Sequence, residues 1–236
     1  MRAHKLWLGK LGTMTKIGLL LMMGVSMSAC SSTMGWKEEV LLHDGSKIVV
    51  ERSFHLGGYP EIASRERQAL DETVIFTNPK TNQSVTWKTD FRNDVPDQNG
   101  LNLLVLDIVN GIPYIATYPA GCIAYNKWKR PNPPYVFFKY EGSDWQRIPL
   151  EAFPAELNQT NVIVGKPPAE LLKPFYTVEQ VNEHNYYLGK EYKTILREAL
   201  KPGSMEVGCE ELVYYKGAWV NPGDSIGRRM MDRMPK

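Results

Sequence analysis

Apolar and polar residues alternate along most of the chain up to Leu150, and each alternating run stops at a turn signal. Alternation with a period of two marks strands with one buried face. Trp36 to His43 and Ser46 to Ser53 flank Asp44-Gly45, a dipeptide that predicts a type I′ hairpin turn. Glu72 to Thr77 and Ser84 to Lys88 form a second such pair around Asn78 to Asn82, with β-branched and aromatic residues in both arms. Leu101 to Val109 is apolar almost throughout, as expected of a central strand buried on both faces. Asn110-Gly111 then returns the chain along Ile112 to Tyr118, and Tyr135 to Tyr140 pairs with Trp145 to Leu150 across Glu141 to Asp144.

These runs predict a mainly β fold, an antiparallel sandwich or open barrel built from hairpins, over residues 36–157. A small α/β segment is expected over 158–220. Within it, Thr177-Val178-Glu179-Gln180 is a capping-box pattern that starts a helix through Asn185. Strands are expected at Lys193 to Arg197 and at Glu211 to Tyr215, the second turning at Lys216-Gly217. The tail, 221–236, carries Arg228, Arg229 and Arg233 with few core candidates and is expected to fray. Glu61 to Leu70 reads as a helical turn or a loop.

The N-terminal pattern differs in kind. Basic residues precede an apolar run from Ile17 to Val25, followed by Met27-Ser28-Ala29-Cys30. The run is too short to span a bilayer, which takes about 20 apolar residues. It resembles a bacterial lipoprotein signal, in which cleavage precedes a cysteine acylated on its sulfur; Met27 departs from the usual Leu. The resemblance implies that 1–29 are removed, that Cys30 is lipidated and that 30–35 form a short tether. Ser31 after the cysteine implies forwarding to the outer membrane; the domain is expected to face the periplasm, with a surface-exposed orientation as the alternative because the anchor does not specify the side. A start at Met14 gives a more compact signal of the same type.

Charge and cysteine content follow from that reading. The full chain carries 28 basic and 26 acidic side chains, but Arg2, Lys5, Lys10 and Lys16 all precede Cys30, so the mature charge becomes −2. That balance argues against a nucleic-acid partner. Cys122 and Cys209 are the thiols left over, and an oxidising periplasm predicts a disulfide between them.

Candidate chemistry is sparse. Gly223-Asp224-Ser225-Ile226-Gly227 satisfies a nucleophile-elbow pattern, and His55, Asp107 and Ser225 occur in the chain order of a serine-protease triad. Ile226 replaces the glycine that would follow the serine, no histidine follows His184, and too little chain remains to complete such a fold. No catalytic residue is assigned. His43, His55 and His184 are too widely spaced for a metal motif, so neither a metal nor a cofactor is expected.

The remaining candidate is the aromatic-basic-proline stretch from Tyr125 to Pro134. Tyr125, Lys127, Trp128, Lys129 and Arg130 are the residue types that anchor a partner at low entropic cost, and prolines exclude the stretch from a sheet interior. They are the candidate site for a protein or glycan of the envelope; the competing reading packs the rings over the sheet. Trp36 to Gly45, and Tyr125 through Pro131-Asn132-Pro133-Pro134 to Leu150, resemble a group of proteobacterial lipoproteins over residues 36–157. That resemblance implies no activity. The expectation is thus a membrane-anchored lipoprotein with a non-enzymatic binding or structural role, against the alternative of an envelope hydrolase acting on peptide or glycan.

Overall fold

A computed structural model describes residues 32–60, 67–92, 100–201 and 208–233. Cys30 and the signal segment lie outside these, as does part of the stretch from Glu61 to Leu70, whose last four residues are strand. Four antiparallel strands in sequence form most of the first sheet, β1 (Ser32–Leu41), β2 (Lys47–Pro60), β3 (Arg67–Thr77) and β4 (Ser84–Asp90), and the short β9 (Phe175–Tyr176) joins it parallel to β1 as a fifth. The second is β5 (Leu101–Val109), β6 (Ile112–Pro119), β7 (Val136–Glu141) and β8 (Asp144–Ile148), all antiparallel neighbours. The helix α1 (Cys122–Lys127) connects β6 to the proline loop before β7. Beyond β8 come β9 (Phe175–Tyr176), α2 (Val178–His184), α3 (Lys190–Lys193), β10 (Val213–Tyr215), β11 (Ala218–Val220) and α4 (Ser225–Asp232). The mainly β prediction holds, and the two sheets stack as a sandwich with no closed barrel.

The inward phase of the first sheet places Val40, Val50, Val74, Phe76 and Trp87 against Leu103, Leu106, Ile115 and Phe138 of the second. β5 is buried on both faces, as its unbroken apolar run predicted. Leu104 and Val105 turn away from the sandwich core to a second cluster, where Phe153, Leu157 and Ile195 from the later chain cover them. Apolar burial contributes about 25 cal/mol per Å², so covering the outer face of β5 and β6 is what makes the segment after β8 part of the same body.

Three hairpin turns show how local chemistry sets the backbone. Asn110 and Gly111 both take positive φ, 53° and 82°, which is the predicted type I′ turn. Lys216 and Gly217 do the same between β10 and β11. At Asp44-Gly45 the prediction fails in detail: Gly45 alone is left-handed, and a longer loop closes through Leu42 N donating to Ser46 O at 2.8 Å. The Asp44 carboxylate accepts from the Ser46 amide at 2.9 Å and hydroxyl at 2.6 Å, a local capping that competes with the two-residue turn.

Further differences concern chain ends and the C-terminal part. Ser32 to Gly35, expected as tether, already belong to β1: Ser32 pairs with Leu56, and its hydroxyl accepts from Arg67 Nη1 at 3.0 Å. Lys190 to Lys193 are helical, and only Thr194 makes a bridge, to Gln159, where a strand was expected. The tail carries α4, tied back because Asp232 accepts from Lys216 Nζ at 2.6 Å and the Tyr215 hydroxyl at 2.5 Å. The capping box at Thr177 forms as predicted, with Thr177 N donating to Gln180 Oε1 at 3.1 Å.

One side of the sandwich is closed by an extended crossing, Asn161 to Gly165, which has no strand partner. Asn161 N donates to Leu104 O at 3.2 Å, and the other backbone bonds of the crossing go to side chains. Asn185 Nδ2 donates to Val162 O at 2.7 Å and its carbonyl accepts from Val164 N; Arg52 donates to the carbonyls of Ile163 and Gly165. Asn161 in turn bonds Leu106 N and O and Leu41 O, so it bridges β5 to β1. Buried backbone groups must find such partners, which explains polar side chains inside an apolar core.

Candidate functional site

The aromatic-basic stretch is built into the interior. Gly121 at φ 111° turns the chain into α1, and Lys129 and Arg130 at φ 63° and 51° turn it out again. Tyr125, Lys127 and Trp128 are buried, Arg130 is half-buried and Lys129 is exposed. Trp128 joins the sandwich core edge-on to Phe138 at 5.8 Å, with the Arg147 guanidinium 5.3 Å from its ring. Lys127 Nζ donates to Arg92 O at 2.9 Å and lies 5.9 Å from the Trp219 ring. Arg130 lies 5.2 Å from the Tyr125 ring and donates to Cys209 O at 2.7 Å and Glu210 O at 3.0 Å. The stretch therefore ties the C-terminal hairpin to the sandwich, and the Cys122–Cys209 disulfide closes beside it with Cα atoms 5.4 Å apart.

The serine triad does not assemble. His55 Nδ1 meets Asp71 Oδ1 at 2.7 Å, while Asp107 is held by His43, Nδ1 to Oδ1 at 2.7 Å. These pairs occupy opposite ends of β2, separated by about 26 Å of strand at ~3.3 Å per residue. Ser225 sits exposed at the start of α4. Among the described residues no three His, Cys, Asp or Glu side chains gather closely enough to hold a metal ion.

The His43–Asp107 contact joins the β1–β2 turn to β5. Asp107 also accepts from the His43 amide at 2.9 Å. The side-chain bond from His43 Nδ1 to Asp107 Oδ1 raises the His43 pKa above its ordinary 6.5, with burial opposing and the Asp107 charge assisting. A raised histidine pKa contributes stability fully present below about pH 6.5 and lost as pH rises through the folded-state pKa. His184 acts oppositely, since burial lowers its pKa, so the His43 contribution is isolated by difference. The melting temperature of the wild type should exceed that of His43→Gln at pH 6 and the gap should narrow by pH 8.5. A gap independent of pH would show that the ion pair contributes nothing.

Concavity is found on the open side of the sandwich. β4 and β8 are terminal strands of their sheets, and Trp145 of β8 reaches across, Nε1 donating to Thr86 O at 2.8 Å. Beside that bridge lies a groove of about 510 Å³ whose apolar wall is Trp87, Leu101, Trp128, Phe138 and Trp145. Its polar wall comes from cross-strand register: Glu72 opposite Thr89, and Asp71 opposite Asp90. Like charges opposite each other destabilise a strand pair unless compensated. Here His55 compensates Asp71, and Arg92 donates to Asp90 through Nε at 2.7 Å. That bond to Arg92 holds the Asp90 carboxyl below its usual range.

Glu72 is the buried carboxylate of this wall. It belongs to a diagonal across three strands, Glu38 on β1, Arg52 on β2 and Glu72 on β3, all in the inward phase and at most 2% exposed. Arg52 Nε donates to Glu72 at 2.7 Å and Nη1 to Glu38 at 3.3 Å; Trp36 Nε1 donates to Glu38 at 2.8 Å. Burial pushes the Glu72 pKa up, only partly offset by Arg52, whereas for Arg52 the two carboxylates outweigh burial and hold it protonated. The three carboxylates of the groove, Asp71, Glu72 and Asp90, are thus each already engaged in an ion pair. That arrangement suits recognition of a ligand with a flat apolar face and peripheral hydrogen-bonding groups better than proton transfer. Compared with known proteins, the chain matches no family model, no curated sequence and no solved structure.

Proposed function

We propose that the chain is an envelope lipoprotein, acylated at Cys30, held at the outer membrane with its sandwich in the periplasm, and acting by binding rather than by chemistry. The binding half rests on the groove between β4 and β8, an aromatic wall facing paired polar groups. Small-molecule and glycan sites have this character, with apolar surface providing contact and a few placed polar groups providing orientation. The localisation half is supported by the signal pattern and by the disulfide, a bond that persists in oxidising compartments.

Both halves are tested in cells. Radiolabelled palmitate should enter the wild type and not Cys30→Ala; equal labelling would reject the anchor. A photo-crosslinking residue at Lys88, on the groove rim, should capture a discrete envelope protein or glycan, and Trp145→Ala should abolish capture while the fold melts cooperatively. Capture unchanged by Trp145→Ala would reject the groove. Hydrolysis of peptide or glycan by the purified domain, abolished by Ser225→Ala, would favour the hydrolase instead.

A further inference from the structure

The groove runs along the open edge of β4, and register fixes which main-chain groups of that strand are left over. Asn78 N donates to Gln83 O at 2.9 Å at one end of the β3–β4 pair, and Phe91 N to Leu70 O at 2.9 Å at the other. Hydrogen-bonded pairs in an antiparallel ladder recur at every second residue. Val85, Trp87 and Thr89 therefore bond to β3, while Ser84, Thr86, Lys88 and Asp90 direct their N–H and C=O groups away from it. The bond from Trp145 Nε1 to Thr86 O, made from outside the sheet, agrees with that phase. It occupies the edge at Thr86 and leaves the next outward residue, the exposed Lys88. β4 is the last strand of its sheet, and no described strand pairs with this edge. Both side-chain phases of β4 line the groove, Trp87 and Thr89 from the inward side and Lys88 and Asp90 from the outward.

We propose that the groove takes an extended segment of polypeptide, which adds to β4 as an antiparallel strand with an acidic residue opposite Lys88 and apolar residues on either side of it. The inference rests on the groove as the binding site and names the class of its ligand. Main-chain N–H and C=O groups at a sheet edge are a template for a further strand, and pockets for alternate side chains give such a site its specificity. Successive side chains of the added strand point to opposite faces. The residue opposite Lys88 shares its outward face, and its two neighbours turn inward toward Trp87, Trp128, Phe138 and Trp145. A groove lined by both phases of one strand matches that two-faced ligand, whereas a sugar ring would engage one face and leave the Lys88 N–H and C=O to water. Charge selects the central residue. His55 pairs with Asp71, Arg52 with Glu72 and Arg92 with Asp90, while Lys88 makes no ion pair among the described residues. Opposite charges facing each other across a ladder stabilise it, and like charges oppose it.

The test uses the full-length protein, isotope-labelled and purified in detergent, with a short capped peptide in which Val and Thr alternate about a central Glu, so that Val flanks the Glu on both sides. Solvent exchange of the Lys88 amide, read by NMR, should slow about ten-fold or more at saturating peptide, while the Trp87 amide, already bonded to β3, stays unchanged. N-methylation of the central Glu, whose N–H faces the Lys88 carbonyl, should weaken binding about ten-fold or more. The same change at either flanking Val, whose N–H faces away, should leave binding intact. A central Lys in place of Glu should bind the wild type about three-fold more weakly, and Lys88→Glu should reverse that preference. Equal loss from N-methylation at both kinds of position overturns the strand pairing, and a preference for Glu that survives Lys88→Glu overturns the placement opposite Lys88. No slowing of the Lys88 amide, together with Trp145-dependent capture of a glycan by the crosslinker at that residue, overturns the peptide and leaves the groove as a binding site. No slowing and no capture removes both.

Discussion

Arg52→Ala should lower the unfolding free energy by about 3–5 kcal/mol, the loss typical of breaking a buried ion pair from one side. The size follows from what the guanidinium satisfies at once. It bonds Glu72 and Glu38 and donates to the Ile163 and Gly165 carbonyls of the crossing, and its plane lies 5.0 Å from the Trp36 ring. Truncation leaves two carboxyls and two carbonyls without that partner in a site excluded from water. Glu72 can relieve itself by taking up a proton, since burial already raises its pKa. A raised carboxyl pKa makes stability highest below the unfolded value, about 4.5, and lower as pH rises through the folded one, so the loss should be greater at pH 8 than at pH 5. Urea unfolding at the two pH values measures it. The counterpart triple variant, Glu38→Leu with Arg52→Met and Glu72→Leu, should lie much closer to the wild type, because a buried ion cluster is often no more stabilising than apolar residues of similar volume. A loss below about 1 kcal/mol for Arg52→Ala would mean that water reaches the site.

The same cluster marks the boundary of what the pattern along the chain could reveal. Strands were legible because alternation and turn residues are local: Val74 and Phe76 fall inward, and Asn110-Gly111 turns. The capping box at Thr177 was legible for the same reason. The buried charges had a local signal too, since Glu38 is in phase with Trp36 and Val40, Arg52 with Val50 and Phe54, and Glu72 with Val74 and Phe76. An ionisable residue at an inward position is costly unless paired, so three on neighbouring strands imply one another. Which strands are neighbours is the non-local fact needed to see it.

The candidate binding stretch shows the converse. Tyr125, Lys127, Trp128 and Arg130 have the composition of an anchor, and no local feature distinguishes an aromatic ring aimed at solvent from one aimed at Phe138. The groove was illegible for a related reason, because its walls come from β2, β3, β4, β5, β7, β8 and the turn after α1. The alternation of Val85, Trp87 and Thr89 gives the inward phase of β4, but it does not reveal that Trp145 bridges to Thr86 across the open side.

Replacing both Cys122 and Cys209 by serine should destabilise the protein by up to about 4–5 kcal/mol, the chain-entropy value for a bridge of this span. The bridge joins residues 87 apart, and most of the intervening chain is sandwich or its cover. Its removal therefore frees the unfolded chain without removing a strand. The native state should retain the sandwich core, whose buried clusters do not include the cysteines. What loosens first is the β10–β11 hairpin with α4. That part is held back by Arg130 on Cys209 and Glu210, by Asn126 accepting from Leu212 N at 2.9 Å, and by the ring contact of Lys127 with Trp219. Hydrogen exchange separates the two effects, because local opening has its own free energy below the global one. In the double-serine variant the amides of Val213 to Tyr215 should exchange at least ten-fold faster, while those of β5 and β6 slow or quicken only with global stability. Adding Arg130→Ala should accelerate the hairpin amides again and leave β5 unchanged. Equal protection of Val213 to Tyr215 with and without the bridge would show that side-chain bonds alone hold the C-terminal hairpin, and that the disulfide acts wholly on the unfolded chain.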